Sequence, residues 1–242
     1  MAKIMFFAHD PGGCNAILPL MDAFRLRNHR LLIYATGPAA AKIPGAKNLS
    51  FDYAENILAA EKPDFIITGT SANDFTEKLL WKMARNYAIP TMALLDHWCN
   101  YGVRFSKYGL KDISKYNFDK TFGFLPSFIC VMDDFAKGEM QNEGIPPDII
   151  YSLGNPHFVS IKHRAKNVDV EKIRSKFSPN KQIVTFASEP YEEDYGVAPE
   201  RKVLHDVAEI LATEDDVILV VKLHPKEPKN KYRRIDGVFF DN

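Results

Sequence analysis

One pattern leaves this chain few folds to choose from. Lys3 to Ala8 is a nearly continuous apolar run, followed at once by His9, Asp10, Pro11, Gly12 and Gly13 and then by apolar residues at helical spacing from Ala16 to Leu26. An unbroken apolar run suits a strand covered on both faces, as in a parallel sheet, whereas a strand with one wet face alternates. Leu31 to Ala35 is a second such run. Strand, helix, strand is the unit from which parallel sheets are built. Pro19 fits the intervening helix only near its start.

The unit then repeats. A helix is expected around Tyr53 to Ala60, a strand at Asp64 to Thr68, a helix around Phe75 to Tyr87 and a strand at Thr91 to Leu95. Pro63 and Pro90 stand where helices must stop ahead of strands. Phe128 to Met132 resumes the sheet, Asp133 caps a helix reaching to Gln141, Gly144 ends it, and Ile149 to Leu153 is the last strand. Between them, Val103 to Phe124 is aromatic and basic without a clear period. A stretch that long inside a compact domain is a binding loop or lid, or else a surface excursion with its aromatics folded beneath.

Basic, polar Lys162 to Val168 reads as a linker, and a new α/β pattern starts beyond it. It runs helix Val170 to Phe177, strand Gln182 to Ala187, helix Glu200 to Leu211, strand Asp216 to Leu223 and a short strand Val238 to Phe240. The expected fold class is α/β, with two Rossmann-like parallel-sheet domains over residues 1–165 and 166–242. The second is expected to be incomplete, its open sheet edge covered by a further C-terminal segment or by a second copy of the chain.

Composition narrows the partners. Thirty-one basic residues balance 31 acidic ones, so nothing points to nucleic acid or an anionic surface as a global partner. Cys14, Cys99 and Cys130 lack the spacing of a disulfide framework or a zinc site. No apolar run approaches membrane-spanning length and the first residues do not read as a leader. A cytoplasmic protein is expected, free or peripheral to the inner face of the membrane.

In open parallel sheets ligands bind at the carboxyl ends of the strands, so the strand-ending loops hold the candidate site. Gly12 and Gly13 let backbone turn sharply and approach a ligand closely, and the amides opening the next helix attract anions. Neither the dinucleotide fingerprint nor the P-loop is present, and Asp10 or Asn15 as a helix cap is the competing reading. Thr70 and Ser71, in the loop Gly69 to Asp74, either offer amides and hydroxyls to a ligand or serve the N-cap of the following helix. The cluster Asp96, His97, Trp98, Cys99, Asn100 and Tyr101 brings proton-transfer, hydrogen-bonding and stacking groups to one strand end.

Together these loops resemble two-domain nucleotide-sugar enzymes of the GT-B type, including the non-hydrolysing 2-epimerases that share that fold. The resemblance rests on Asp10-Pro11-Gly12-Gly13, Asp96-His97-Trp98, Gly154-Asn155-Pro156-His157, Ser188-Glu189-Pro190 and Lys222-Leu223-His224-Pro225. The last is similar to the donor-binding signature of capsule and sialyl-type sugar transferases, and Gly-Asn-Pro-His to the segment where epimerase-like chains leave their first domain. The resemblance implies a metal-independent glycosyltransferase of surface-polysaccharide synthesis that takes a nucleotide sugar and a glycan or small-molecule acceptor, without a further cofactor. It implies Lys222, His224, Ser188 and Glu189 on the donor, with Gly12, Gly13, Asn15, Thr70, Ser71, Trp98, Asn155 and His157 lining the substrate. Asp96 and Asp10 are the candidate bases, with His9 and His97 as rivals or orienting partners. The alternatives are an epimerase or hydrolase acting on the sugar ring and a catalytically silent binding module. The acidic motif of sialyltransferases is absent, since Glu192-Glu193-Asp194 lacks its glycine and reads as a solvated loop.

Overall fold

The structure, a computed structural model, describes residues 1–49, 51–177, 180–192, 196–232 and 238–241. The chain divides into two compact units, Met1–Lys166 and Asn167–Asn242.

In the first unit the strands are β1 (Lys3–Ala8), β2 (Arg30–Ala35), β3 (Phe65–Thr68), β4 (Thr91–Leu94), β5 (Phe128–Val131) and β6 (Ile150–Ser152). They form one parallel sheet in the order β2-β1-β3-β4-β5-β6. The helices are α1 (Pro11–Leu26), α2 (Gly37–Ala40), α3 (Phe51–Glu61), α4 (Thr76–Asn86), α5 (Ile113–Asp119), α6 (Asp134–Asn142) and α7 (Pro156–Ala165). The unbroken apolar run of β1 is explained by burial on both faces. Phe6 and Ala8 pack with Cys14, Ile17 and Met21 of α1, while Met5 and Phe7 pack with Leu58 of α3 and Leu80 of α4. The chain leaves β1 for β2 on one side and returns to β3 on the other, so the order reverses between β1 and β3. The crevice at the carboxyl ends of those two strands is the switch point where such sheets take ligands.

Two expectations are corrected, and a reading left open is decided. α1 begins at Pro11, so Gly12 and Gly13 form its first turn and Pro19 lies in its interior rather than near its start. Proline is preorganised for the first helical position, whereas Pro19 forgoes the bond to the carbonyl four residues back. The residues read as a linker continue α7 as far as Ala165; Asn155 accepts from the His157 amide at 2.9 Å and Pro156 opens the helix. Of the two readings of segment 103–124, the structure agrees with aromatics folded beneath, since Phe105, Tyr116 and Phe122 pack into the core of the first unit. The segment holds 3₁₀ turns at Gly102–Phe105 and Leu110–Asp112 as well as α5, with Val103, Phe105 and Ser106 fully buried. The Phe105 ring stacks on Trp81 at 5.6 Å. Asp133 caps α6 as expected, accepting from the Ala136 amide at 2.8 Å, and Gly144 follows that helix with φ +100°.

The second unit has α8 (Val170–Arg174), shorter than the expected helix, β7 (Gln182–Ala187), α9 (Pro199–Leu211), β8 (Val217–Lys222) and β9 (Val238–Asp241). Its strands form a parallel sheet in the order β7-β8-β9, with Leu204, Leu219, Val221 and Tyr232 as its buried core. β7 is an edge strand along which no side chain is fully buried. Among the described residues, no helix is long and apolar enough to cross a membrane.

Candidate functional site

At the switch point the loops after β1 and β3 touch backbone to backbone. A Cβ on Gly13 would stand 2.9 Å from Gly69 Cα, so both positions require glycine for close approach. Gly12 has a different reason. A Cβ there would lie 1.7 Å from Asp96 Oδ2, so the carboxylate that follows β4 occupies the space the glycine leaves.

The Asp96 side chain is 16% exposed. Burial raises its pKa above the ordinary carboxylate value, the Arg104 guanidinium opposes that rise, and Asp10 adds to it. Arg104 Nη1 stands 3.8 Å from Asp96 Oδ1. The guanidinium is itself nearly buried and is aimed by backbone carbonyls, donating to Thr70 O and, through Nε at 3.2 Å, to Asn100 O. His9 is fixed between two acids, with Nδ1 2.8 Å from Asp10 Oδ1 and Nε2 3.7 Å from Asp74 Oδ2. Its ring lies over Gly37, where φ is +53° and a Cβ would meet Nε2 at 2.4 Å.

Asp96, Asp10 and His9 therefore stand on the adjoining loops of one crevice. His97 is exposed, with Nδ1 facing Cys99 Sγ at 3.3 Å. Thr70 and Ser71 are buried and their hydroxyls are engaged within the protein: Thr70 Oγ1 donates to Leu94 O at 3.4 Å, and Ser71 Oγ accepts from the Asp74 amide at 3.0 Å. Asp74 in turn accepts from the Thr76 amide at 2.9 Å, which serves the entry to α4. Asp10 holds the N-cap position of α1 without a side-chain cap bond. Trp98 is half-exposed, donates from Nε1 to Asp133 Oδ2 at 2.8 Å, and stacks on Phe158 at 5.9 Å with 14° between the rings. Asn155 is spent on the cap of α7, while Asn15 and His157 line the groove between α1 and α7.

Three residues escaped the sequence reading. Glu77 lies under the crevice, 1% exposed, with one carboxyl oxygen accepting from the Ser71 amide and Oε1 without a partner. Burial pushes its pKa up to about 8. Its neighbour Lys78, fully buried, donates to Val103 O at 3.0 Å, Ser106 O at 3.0 Å and Tyr108 O at 2.8 Å. Arg104 was legible only as part of a basic stretch. An acid and a base opening a helix look like solvent-facing residues, and nothing local signals that later segments cover them.

In the second unit, Ser188 Oγ donates to Glu227 Oε1 at 2.7 Å and lies 2.8 Å from Tyr232 OH. Glu227 also receives Lys231 Nζ at 2.7 Å and the His224 amide at 2.6 Å, which fixes the Lys222-Leu223-His224-Pro225 loop. The Ser188 hydroxyl is thus held in a buried network, whereas Glu189 and Lys222 are exposed. Glu193 and Asp194 lie outside the described residues. His205, Asp206 and Glu209 bring ligand atoms within 4.8 Å of one another, but all three are exposed on α9 and Asp206 pairs with Lys202 at 2.6 Å.

No family model and no curated protein matches the chain in sequence. Solved structures do match. The S. aureus MnaA–UDP co-structure is 16% identical with a TM-score of 0.66, covering 99% of this chain and 69% of that one. The Neisseria meningitidis UDP-GlcNAc 2-epimerase bound to UDP-GlcNAc is 12% identical with a TM-score of 0.65, covering 98% of this chain and 71% of that one. Anabaena Alr3699/HepE in complex with UDP-glucose is 13% identical with a TM-score of 0.61, covering all of this chain and 69% of that one. The chain carries the Rossmann-like GT-B-type fold shared by the UDP-GlcNAc 2-epimerases.

Proposed function

We propose that this protein binds a UDP-sugar and alters the sugar itself by proton transfer at a ring carbon, with Asp96 as the acid–base group. The observation that carries this reading is the Asp96 carboxylate, set against Gly12 at the switch point and opposed by Arg104. Partial burial brings the carboxyl closer to neutrality, where it takes and returns a proton more readily, and Arg104 keeps it from being locked in the acid form. His9, held by Asp10, is the second proton carrier. Several structures of like fold are UDP-GlcNAc 2-epimerases, which favours chemistry on the sugar over the transfer that the sequence put first. The proposal calls for no resident cofactor.

Transfer to an acceptor is the second reading, supported by Lys222-Leu223-His224-Pro225. Incubation with UDP-GlcNAc in deuterium oxide, without acceptor, separates the two. Ring epimerisation places deuterium on the sugar; transfer leaves the sugar unlabelled until an acceptor is added. Asp96→Asn is expected to abolish labelling while keeping the rise in melting temperature that UDP gives the parent. Labelling at the parent rate in Asp96→Asn overturns the assignment.

A further inference from the structure

Helices α1 and α7 lie side by side in the first unit, and the groove between them has a volume of about 510 Å³. α7 contributes His157, Ser160, His163 and Arg164 to it, and α1 contributes Asn15 and Asp22. Lys42, just beyond α2, reaches the rim, with Nζ 3.4 Å from Asn15 Oδ1. Four groups able to carry positive charge therefore gather at one concavity. None of Lys42, His157, His163 and Arg164 has a carboxylate partner among the described residues. Asp22, the acid on this wall, is turned to Arg25 at 2.9 Å.

Partial burial, with the fields of Arg164 and Lys42 added, holds the His157 imidazole below its ordinary value. Like charges converging on a concave wall carry a standing cost that an anion between them removes. The groove also has the size of a small-molecule site.

We propose that the groove between α1 and α7 binds the phosphate group of a small phosphorylated ligand, with Lys42, His157 and Arg164 as its cationic contacts and Asn15 and Ser160 as hydrogen-bonding ones. The proposal stands independently of the chemistry assigned to Asp96. Its phosphate comes either from a free phosphorylated compound or from the diphosphate of a nucleotide sugar.

The test uses the full chain, pyrophosphate as probe, and the imidazole NMR signals assigned through His157→Gln. Pyrophosphate is expected to move the His157 signal and to raise its titration midpoint, because the anion offsets Lys42 and Arg164. The double variant Lys42→Ala, Arg164→Ala changes two exposed side chains and is expected to weaken pyrophosphate binding at least tenfold. No binding, binding that leaves His157 unmoved, or parent-like binding by the double variant each overturns the proposal. If UDP-GlcNAc displaces pyrophosphate with the same His157 shift, the site serves the nucleotide diphosphate. If pyrophosphate and UDP-GlcNAc bind together, it serves a free phosphorylated ligand.

Discussion

Exchanging Glu77 for glutamine isolates the cost of keeping a carboxyl group inside the first unit. The side chain is 1% exposed, and burial pushes its pKa up to about 8; Asp10 and Asp96 add to that rise, while the Ser71 amide opposes it. In the unfolded chain the group titrates near 4.5. Between pH 4.5 and about 8 the folded state therefore holds a proton that the unfolded state has released, and stability falls as pH rises through that window. At about 1.4 kcal/mol per pH unit, the total across the window is about 5 kcal/mol. Glutamine keeps an acceptor for the Ser71 amide and does not titrate. Its amide nitrogen, where Oε1 now lacks a partner, adds a desolvation cost of about 1–3 kcal/mol that is the same at every pH. The change of the difference with pH, and not its offset, is thus the diagnostic quantity. Both tryptophans, Trp81 and Trp98, lie in the first unit, so urea unfolding followed by tryptophan fluorescence reports on that unit. Relative to the parent, Glu77→Gln is expected to gain about 5 kcal/mol between pH 4.5 and 8. Parallel stability curves across that window refute the reasoning.

Other substitutions probe separate features. Gly12→Ala puts a Cβ where Asp96 Oδ2 now sits and expels the carboxylate; ring-deuterium exchange should fall by about 100-fold, while helix propensity gains up to about 1 kcal/mol. A variant with parent-like exchange would show that Asp96 works from another position. Lys78→Met leaves Val103 O satisfied by Ser106 but strips Ser106 O and Tyr108 O of their donor, at about 1–3 kcal/mol each in the same urea assay. A loss below about 1 kcal/mol would mean that water replaces the ammonium. Ser188→Ala removes the hydroxyl shared by Glu227 and Tyr232 and should cost the second unit about 1–2 kcal/mol. Amide exchange along β7 and β8 measures it, and unchanged protection contradicts it.

The strands were legible because Met5, Phe6 and Phe7 must each find a buried face, and an unbroken apolar run leaves only a doubly covered sheet. Gly12 was visible as permissive backbone, but the reason for it, the Asp96 carboxylate, comes from a distant strand that sequence alone does not bring near. The linker reading failed at Lys162, His163 and Arg164 because the polar side of a helix has the composition of a linker, and the capping Asn155 with Pro156 carried the better signal. Pro19 misled for a similar reason: its cost is one backbone bond, which packing of Ile17 and Met21 outweighs. Glu77 and Lys78 were unreadable because their burial is imposed from outside their own helix.

Those two residues also share a mount. One turn of α4 grips the loop after β3 through the Ser71 amide and the segment after β4 through the carbonyls of Val103, Ser106 and Tyr108. Thr70 and Arg104, which bond each other across those two stretches, ride on that turn. Any tilt of α4 displaces both together, so the guanidinium keeps its register with the crevice floor while the helix moves. The outward side chains of both stretches add to that hold: Asn73 Oδ1 accepts from the Leu110 amide at 3.0 Å, and Lys107 Nζ pairs with Asp119 at 2.8 Å.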